Sequence, residues 1–342
     1  MVSNPKCYFF ASVLAAAVIG GGHFFDFYME RRSMHAIPQG LTRFNVTDPI
    51  PHCGRWKENM PATRDPEVYR LYIQARKLWR SKIEWELSRT EAQQILADVE
   101  LASKKGDWGA RALLAYFYRS GLGPLSSNKV LDQDADKTVA IAREAAAAGQ
   151  PWGLYDLGVA HEHGYGGAAK DLEIAWAYYL KAARLGSPDA QLALADAYSE
   201  AGRSDAEDAM VQCAYQQGHG AAAYRLAIDA KVRKQYREAL ATYQAGITFG
   251  DKDCADALFL LFSRGYWTGA SSKEREALSA IGIAADPERK ARYDAISNAL
   301  QINPDLKLGR LDEFLPLPPA KLPEWRGVSD VVTPESDGPP TY

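Results

Sequence analysis

The sequence predicts an all-α protein: a right-handed α-solenoid of helix–turn–helix repeats, preceded by an N-terminal membrane helix. Three observations carry that prediction. A glycine, a small residue four positions on and a leucine four beyond that recur five times. They are Gly106–Ala110–Leu114, Gly149–Gly153–Leu157, Gly186–Ala190–Leu194, Gly218–Ala222–Leu226 and Gly250–Cys254–Leu258. Successive glycines stand 43, 37, 32 and 32 residues apart, the period of stacked helix pairs with loops of varying length. The third observation is an uncharged run from Cys7 to Gly22.

Taken in order, residues 1–32 read as a membrane anchor or signal segment. A helix over the uncharged run would span about 24 Å, and one continued to Met29 about 34 Å, taking in His23 and Asp26. No Ala-x-Ala ending is present, only Gly20-Gly21-Gly22. An uncleaved anchor is therefore the first reading, a cleaved signal the second and a buried soluble helix the third. Cys7 precedes the run, which argues against a lipoprotein cleavage site. Basic residues flank both ends (Lys6; Arg31 and Arg32), so charge does not orient the segment. Its likeness to an export signal places the solenoid outside the cytoplasm. Residues 33–64, with Pro38, Pro49, Pro51 and Pro61, read as a spacer lifting the solenoid off the membrane.

The solenoid is expected over 65–302. Asp65-Pro66-Glu67 is a helix start, and Val68, Leu71, Ala75, Leu78 and Ile83 continue a helical stripe. Thr90 and Gln93 have capping-box spacing ahead of Ile95, Leu96, Val99 and Ala102. Within the repeats, Asp136, Asp171 and Asp205 each stand four before a small residue, with Gln235 in the fourth place. A carboxylate there would cap the second helix of each pair, and the glycine would end it in a left-handed turn. Ala102, Ala145, Ala182, Ala214 and Gly246, four before each glycine, let helices approach closely. Pro287 opens a last helix that should end near Asn303-Pro304. Residues 303–342 form a Pro-rich tail. Its segment Leu315 to Trp325 cannot continue a helix, and is either disordered or packs its Leu and Trp back on the solenoid or into a partner.

Leu157-Gly158, His161, Gly164, Gly166, Asp171, Ala175, Trp176, Tyr179, Lys181-Ala182-Ala183 and Gly186 resemble the Sel-one-like repeat, a relative of the tetratricopeptide repeat. So do Leu114, Tyr118, Gly121 and Gly123 in the unit before. The resemblance covers about Asp107 to Arg264 and weakens in the last two units; it implies an adaptor-like fold and no single reaction. The ending Leu-Pro-Leu-Pro-Pro-Ala-Lys-Leu-Pro-Glu-Trp (315–325) after such an array resembles a group of bacterial envelope proteins. These are immunity proteins encoded beside antibacterial lipases (phospholipases) of the type VI secretion system.

Catalytic arrangements are missing from the sequence. It contains no Gly-x-Ser-x-Gly elbow, phosphate loop or His-Glu-x-x-His motif. Asp132, Asp134 and Asp136 imitate the start of a calcium loop, but Lys137 and Arg143 stand where that loop needs Gly and Glu. His161 and His163 point to different faces and have no third ligand nearby. No metal, cofactor, small-molecule substrate or enzymatic activity is therefore expected. Forty basic against forty-three acidic residues, with no basic tract, argue against nucleic acid. Cys254 and Cys213 read as core-packing residues; Cys53 is open to pairing in an oxidising compartment, with no partner indicated. Asn45-Val46-Thr47 fits a glycosylation sequon, which matters only in a eukaryotic secretory route.

What remains is protein binding. The resemblance implies an immunity protein that neutralises a secreted lipase toxin in the periplasm, held at the inner membrane or soluble there if a signal is cleaved. The alternative is an envelope scaffold or regulatory adaptor of a secretion or polysaccharide machine. The residues expected at the interface are Trp108, Arg111, Trp152, Tyr155, Asp156, Glu162 and His163 on the first helices of units, with Leu317, Lys321 and Trp325 in the tail. The curved inner face and the tail are expected to grip the partner together. Tyr224 and Trp267 also stand off the shared pattern and are open to either burial or contact.

Overall fold

The computed structural model describes residues 36–334. The expected membrane segment therefore lies outside the described residues, among which no helix is long and apolar enough to cross a membrane. Fifteen α-helices are present among the described residues. The first two are α1 (Pro66–Trp79) and α2 (Arg89–Lys104), followed by the repeat pairs α3 (Trp108–Ser120) and α4 (Ala135–Ala147), then α5 (Pro151–His163) and α6 (Leu172–Arg184). Next come α7 (Pro188–Glu200) and α8 (Ser204–Tyr215), then α9 (Gly220–Val232) and α10 (Tyr236–Thr248). The array ends with α11 (Lys252–Leu261), α12 (Arg264–Gly269), α13 (Ser272–Ala280), α14 (Pro287–Ile302) and α15 (Leu311–Phe314). From α1 to α11 each helix packs on its chain neighbours, and α14 returns onto α11. This sequential packing is an α-solenoid.

The repeat marker has a direct physical meaning. All five glycines adopt left-handed φ, from +75° at Gly149 to +94° at Gly186. The residue after each glycine donates its backbone N–H to the carbonyl of the small residue four before that glycine. Asp107 donates to Ala102, Gln150 to Ala145, Ser187 to Ala182, His219 to Ala214 and Asp251 to Gly246, at 2.9–3.3 Å. One motif thus closes each second helix and aims the chain into the next first helix. Asp107, Ser187 and Asp251 then cap that next helix with their side chains.

Several expected caps are displaced. Asp171 caps α6 as expected. The cap of α4 is Asp134, which accepts from the Lys137 N–H, and Asp136 lies inside the first turn. Asp205 likewise lies inside α8, and Gln235 precedes α10 without a side-chain bond. The capping box is Ser88 with Glu91, whose side chains bond each other's backbone N–H, rather than Thr90 with Gln93. α1 stops at Trp79, short of Ile83.

Residues 44–64, in the expected spacer, pack on the solenoid as a strap. Phe44 stacks on Trp176 at 5.3 Å, and Arg203 holds the carbonyls of Val46 and Asp48. Cys53 is bonded to Cys213 across 160 residues, so Cys213 is a cross-link rather than plain core packing. Two glutamines continue the attachment. The Trp56 N–H donates to Gln217 Oε1, Gln217 donates to Gln191, and Gln191 donates to the Gly54 carbonyl. At the end of the strap Arg64 grips the Asp107 carboxylate with two hydrogen bonds, 2.6 and 2.8 Å.

The two ends of the array also meet. Arg76 of α1 makes two hydrogen bonds to Asp305, beyond α14, at 2.5 and 2.7 Å. Burial favours neutral Asp305, but its hydrogen bonds from Arg76 outweigh that and hold the carboxyl below its ordinary range. The described part of the tail is ordered against α14. Buried Arg289 donates to the carbonyls of Pro316 and Ala320, and buried Arg292 to those of Phe314 and Pro323. The prolines leave these carbonyls without ladder partners, and the two guanidiniums supply the donors.

The disulfide closes a loop of 160 residues, so its loss should relax the unfolded chain and free the strap. Cys53→Ser is expected to lower folding stability by about 2–5 kcal/mol. Denaturant midpoints of parent and variant, with and without reductant, check this; reductant should shift only the parent.

Candidate functional site

Two of the expected anchors belong to the interior. Trp108 and Trp152 are only 7% and 8% exposed, because Trp56 and Met60 of the strap lie over them in one apolar cluster. Trp108 is also covered by the Arg64 guanidinium, 4.5 Å from its ring. The Trp152 indole donates to Gln150, the residue that opens α5. In the tail, Leu317 and Trp325 are half-buried against the last core, and Arg292 lies 5.3 Å from the Trp325 ring. Lys321 is exposed.

The remaining expected residues give a different picture. Arg111 is half-buried on α3, and His163 is exposed at the end of α5. Tyr155, Asp156 and Glu162 of α5 come together with Arg119 of α3, Tyr179 of α6 and Asp189 of α7. The Tyr179 hydroxyl donates to Glu162 Oε2 at 2.5 Å, and the Tyr155 ring lies 5.5 Å from that of Tyr179. Burial, followed by the fields of Asp189, Asp156 and Glu162, pushes the Tyr155 hydroxyl well above its ordinary range. Asp156 has one cation near it, Arg119 at 3.6 Å, and its side chain is only 17% exposed. Burial pushes its carboxyl up to about 6; Arg119 opposes the rise and Asp189 adds to it.

The acidic character continues along the starts of the next first helices. Between α7, α9 and α11 a cavity of about 350 Å³ is lined by Asp189, His219 and Asp251. His219 Nε2 lies 3.3 Å from Asp189 Oδ1, while Nδ1 is buried without a hydrogen-bond partner. Burial raises the Asp251 carboxyl as well. Carboxylates held without full compensation reduce folding stability, and such groups concentrate where a ligand or partner supplies the missing charge. Cationic side chains of a protein would do so here.

Sequence reasoning reached Tyr155, Asp156, Glu162 and His163 because they interrupt the repeat pattern. It missed Asp189, His219 and Asp251. Asp251 caps α11, His219 stands at the cap position of α9 without a side-chain bond, and Asp189 lies in the first turn of α7, all places where a polar residue already has a structural explanation. Their convergence is created by helix stacking across units, and no local spacing reports it. Among the described residues no group of three or more His, Cys, Asp or Glu side chains is arranged to hold a metal.

The fold resembles that of solved immunity proteins. The immunity protein PA5088 from Pseudomonas aeruginosa matches at 25% identity and a TM-score of 0.60, over 78% of this chain and 94% of its own. The immunity protein Pa5087 from the same organism matches at 24% identity and a TM-score of 0.62, over 78% and 94%. Pseudomonas aeruginosa 5086 matches at 25% and 0.62, over 80% and 96%. Residues 262–340 match a family described as a domain of unknown function, DUF6396. That match begins where the repeat resemblance ends, yet α9–α11, α14 and the tail share one core. No curated protein sequence matches the chain.

The raised carboxyl of Asp156 has a thermodynamic signature. Its folded value, about 6, exceeds the ordinary 3.8, so folding takes up a proton between those pH values. The group is neutral toward stability below about pH 4 and fully destabilising above about pH 6. Asp156→Asn should therefore raise the thermal midpoint at about pH 7.5 by a few degrees, and the difference should vanish below about pH 4. Calorimetry of both proteins across that range checks it.

Proposed function

We propose that this chain is an immunity protein that binds and neutralises a type VI secretion lipase (phospholipase) effector in the periplasm. The observation that carries the reading is the match to the immunity protein PA5088, at 25% identity over nearly the whole of that protein. The Pro-rich ending supports the lipase as its target. The Cys53–Cys213 bond supports an oxidising compartment such as the periplasm, reached by anchoring in the inner membrane or by export with cleavage.

The strap covers part of the repeat-turn rim, and α14 holds the described part of the tail, so neither is free to wrap a toxin in this state. The exposed and half-buried polar residues of the first helices are the better surface: Arg111, Tyr155, Asp156, Glu162 and His163, continued by Asp189 and His219. A toxin presenting lysines and arginines to this track would relieve its excess negative charge. It would lose activity if those same basic residues lie beside its active-site mouth or its membrane-docking surface.

The test is expression of type VI secretion lipase effectors, directed one at a time into the periplasm of a sensitive host, with and without this chain. For one of them growth should be arrested without this chain and restored with it. Asp189→Lys should weaken the purified complex about tenfold or more, chiefly at low salt. Killing that the chain relieves for none of them, in cells where it is folded and exported, would contradict the proposal.

A further inference from the structure

A second surface lies in the last units, in an apolar groove of about 740 Å³ between α9, α10, α11 and α13. Tyr224, Tyr243 and Tyr266 line it. On its lip Val232 is 75% exposed and Leu260 55%, with Ile228 also exposed. These are large apolar side chains in one concave place, where scattered single ones would need no explanation. Lys231, Lys234 and Lys273 rim the groove against one carboxylate, Glu274. The Tyr266 hydroxyl donates to Glu274, and Lys231 lies over the Tyr266 ring at 4.9 Å. The rim is therefore cationic around an apolar floor.

Lys234 is informative beyond its charge. In the unit before, the turn between first and second helix places Gly202 at φ +69°. The next residue, Arg203, returns its N–H to the Tyr198 carbonyl. In this unit the same turn is made by Lys234 at φ +64°, and Gln235 bonds back to Ala230. Lys234 is the one non-glycine residue with positive φ among the described residues. Glycine would occupy this turn with less strain, so the backbone gives no reason for lysine there. The groove does.

We infer that this groove takes an acidic amphipathic helix of a protein partner, with leucine-like side chains on the apolar floor and carboxylates on Lys231, Lys234 and Lys273. A helix is the occupant because the groove is walled by helices and offers no strand edge, so a bound segment must satisfy its own backbone. The concave shape favours a protein segment over a flat bilayer surface. The inference is independent of the immunity reading, since it concerns a surface apart from the acidic track.

The test uses a synthetic amphipathic helix of about four turns, with leucine on one face and glutamate on its flanks, and a twin in which lysine replaces each glutamate. The glutamate peptide should bind the full chain, measured by fluorescence anisotropy, and bind more weakly as salt rises. Val232→Glu should abolish binding. Lys234→Gly should weaken it about fivefold while leaving the thermal midpoint unchanged or raised, because the turn itself favours glycine. Absence of binding, equal binding of the lysine twin, or undiminished binding to the Val232→Glu protein would overturn the inference. So would retention on anionic phosphatidylglycerol vesicles with none for the peptide, or self-association in sedimentation that Val232→Glu removes. The assay contains no toxin, so its failure would leave the immunity reading standing.

Discussion

The structure depends on two places where backbone meets backbone. At Gly54 a side chain would meet the carbonyl oxygen of Arg184 at 2.1 Å, and at Gly186 one would meet the backbone of Arg55 and Trp56 at 2.3 Å. The strap can lie directly on the turn between α6 and α7 only because both residues lack a Cβ. The same device recurs at Gly250, where a Cβ would stand 2.1 Å from the Pro304 oxygen. Gly106 and Gly149 have the same left-handed turn but open space around them. The repeat glycines therefore share one local duty, and two of them also seat flanking segments that bind the units together.

From that seating the rest follows. Once the strap lies at Gly186, Cys53 reaches Cys213, Trp56 covers Trp108 and Trp152, and Arg64 reaches the cap of α3. Residues 303–305, resting at Gly250, bring Asp305 to Arg76 of the first helix. The ends of the array are latched by an ion pair whose members are both about four-fifths buried, where removal of one partner would strand the other charge. The result is a closed scaffold rather than an open spring. The surface proposed for binding keeps the expected first-helix residues of α3 and α5 and leaves out the tail, which α14 holds.

Much of this was legible in the sequence. Gly106 through Gly250 declared the helix pairs, and Asp65, Asp171 and Pro287 marked true helix starts. The strap was not legible, because Pro49, Pro51 and Pro61 suit a spacer and a packed extended segment equally well. What decides is the complementary surface, and Gln191, Arg203 and Gln217 that form it are polar residues spaced along one helix pair, α7 and α8, with no local pattern to mark them. The buried arginines 289 and 292 were missed for the same reason: their partners are main-chain carbonyls of a segment about 30 residues away. The acidic residues of the candidate site were half legible, as pattern-breakers on α5 but not as Asp189 in the first turn of α7 or Asp251 at the cap of α11. The candidate residues Trp108 and Trp152 broke the pattern too, yet serve the strap.

The most direct test of this account is hydrogen exchange on the free, oxidised full-length chain, read at the Trp56 amide and its neighbours in the strap. If the strap is seated on the repeat turns, the Trp56 amide, bonded to Gln217, should exchange as slowly as amides within the repeat helices. Exchange at the rate of unstructured chain, with the helices still protected, would show the strap lifting from the solenoid and would contradict the account.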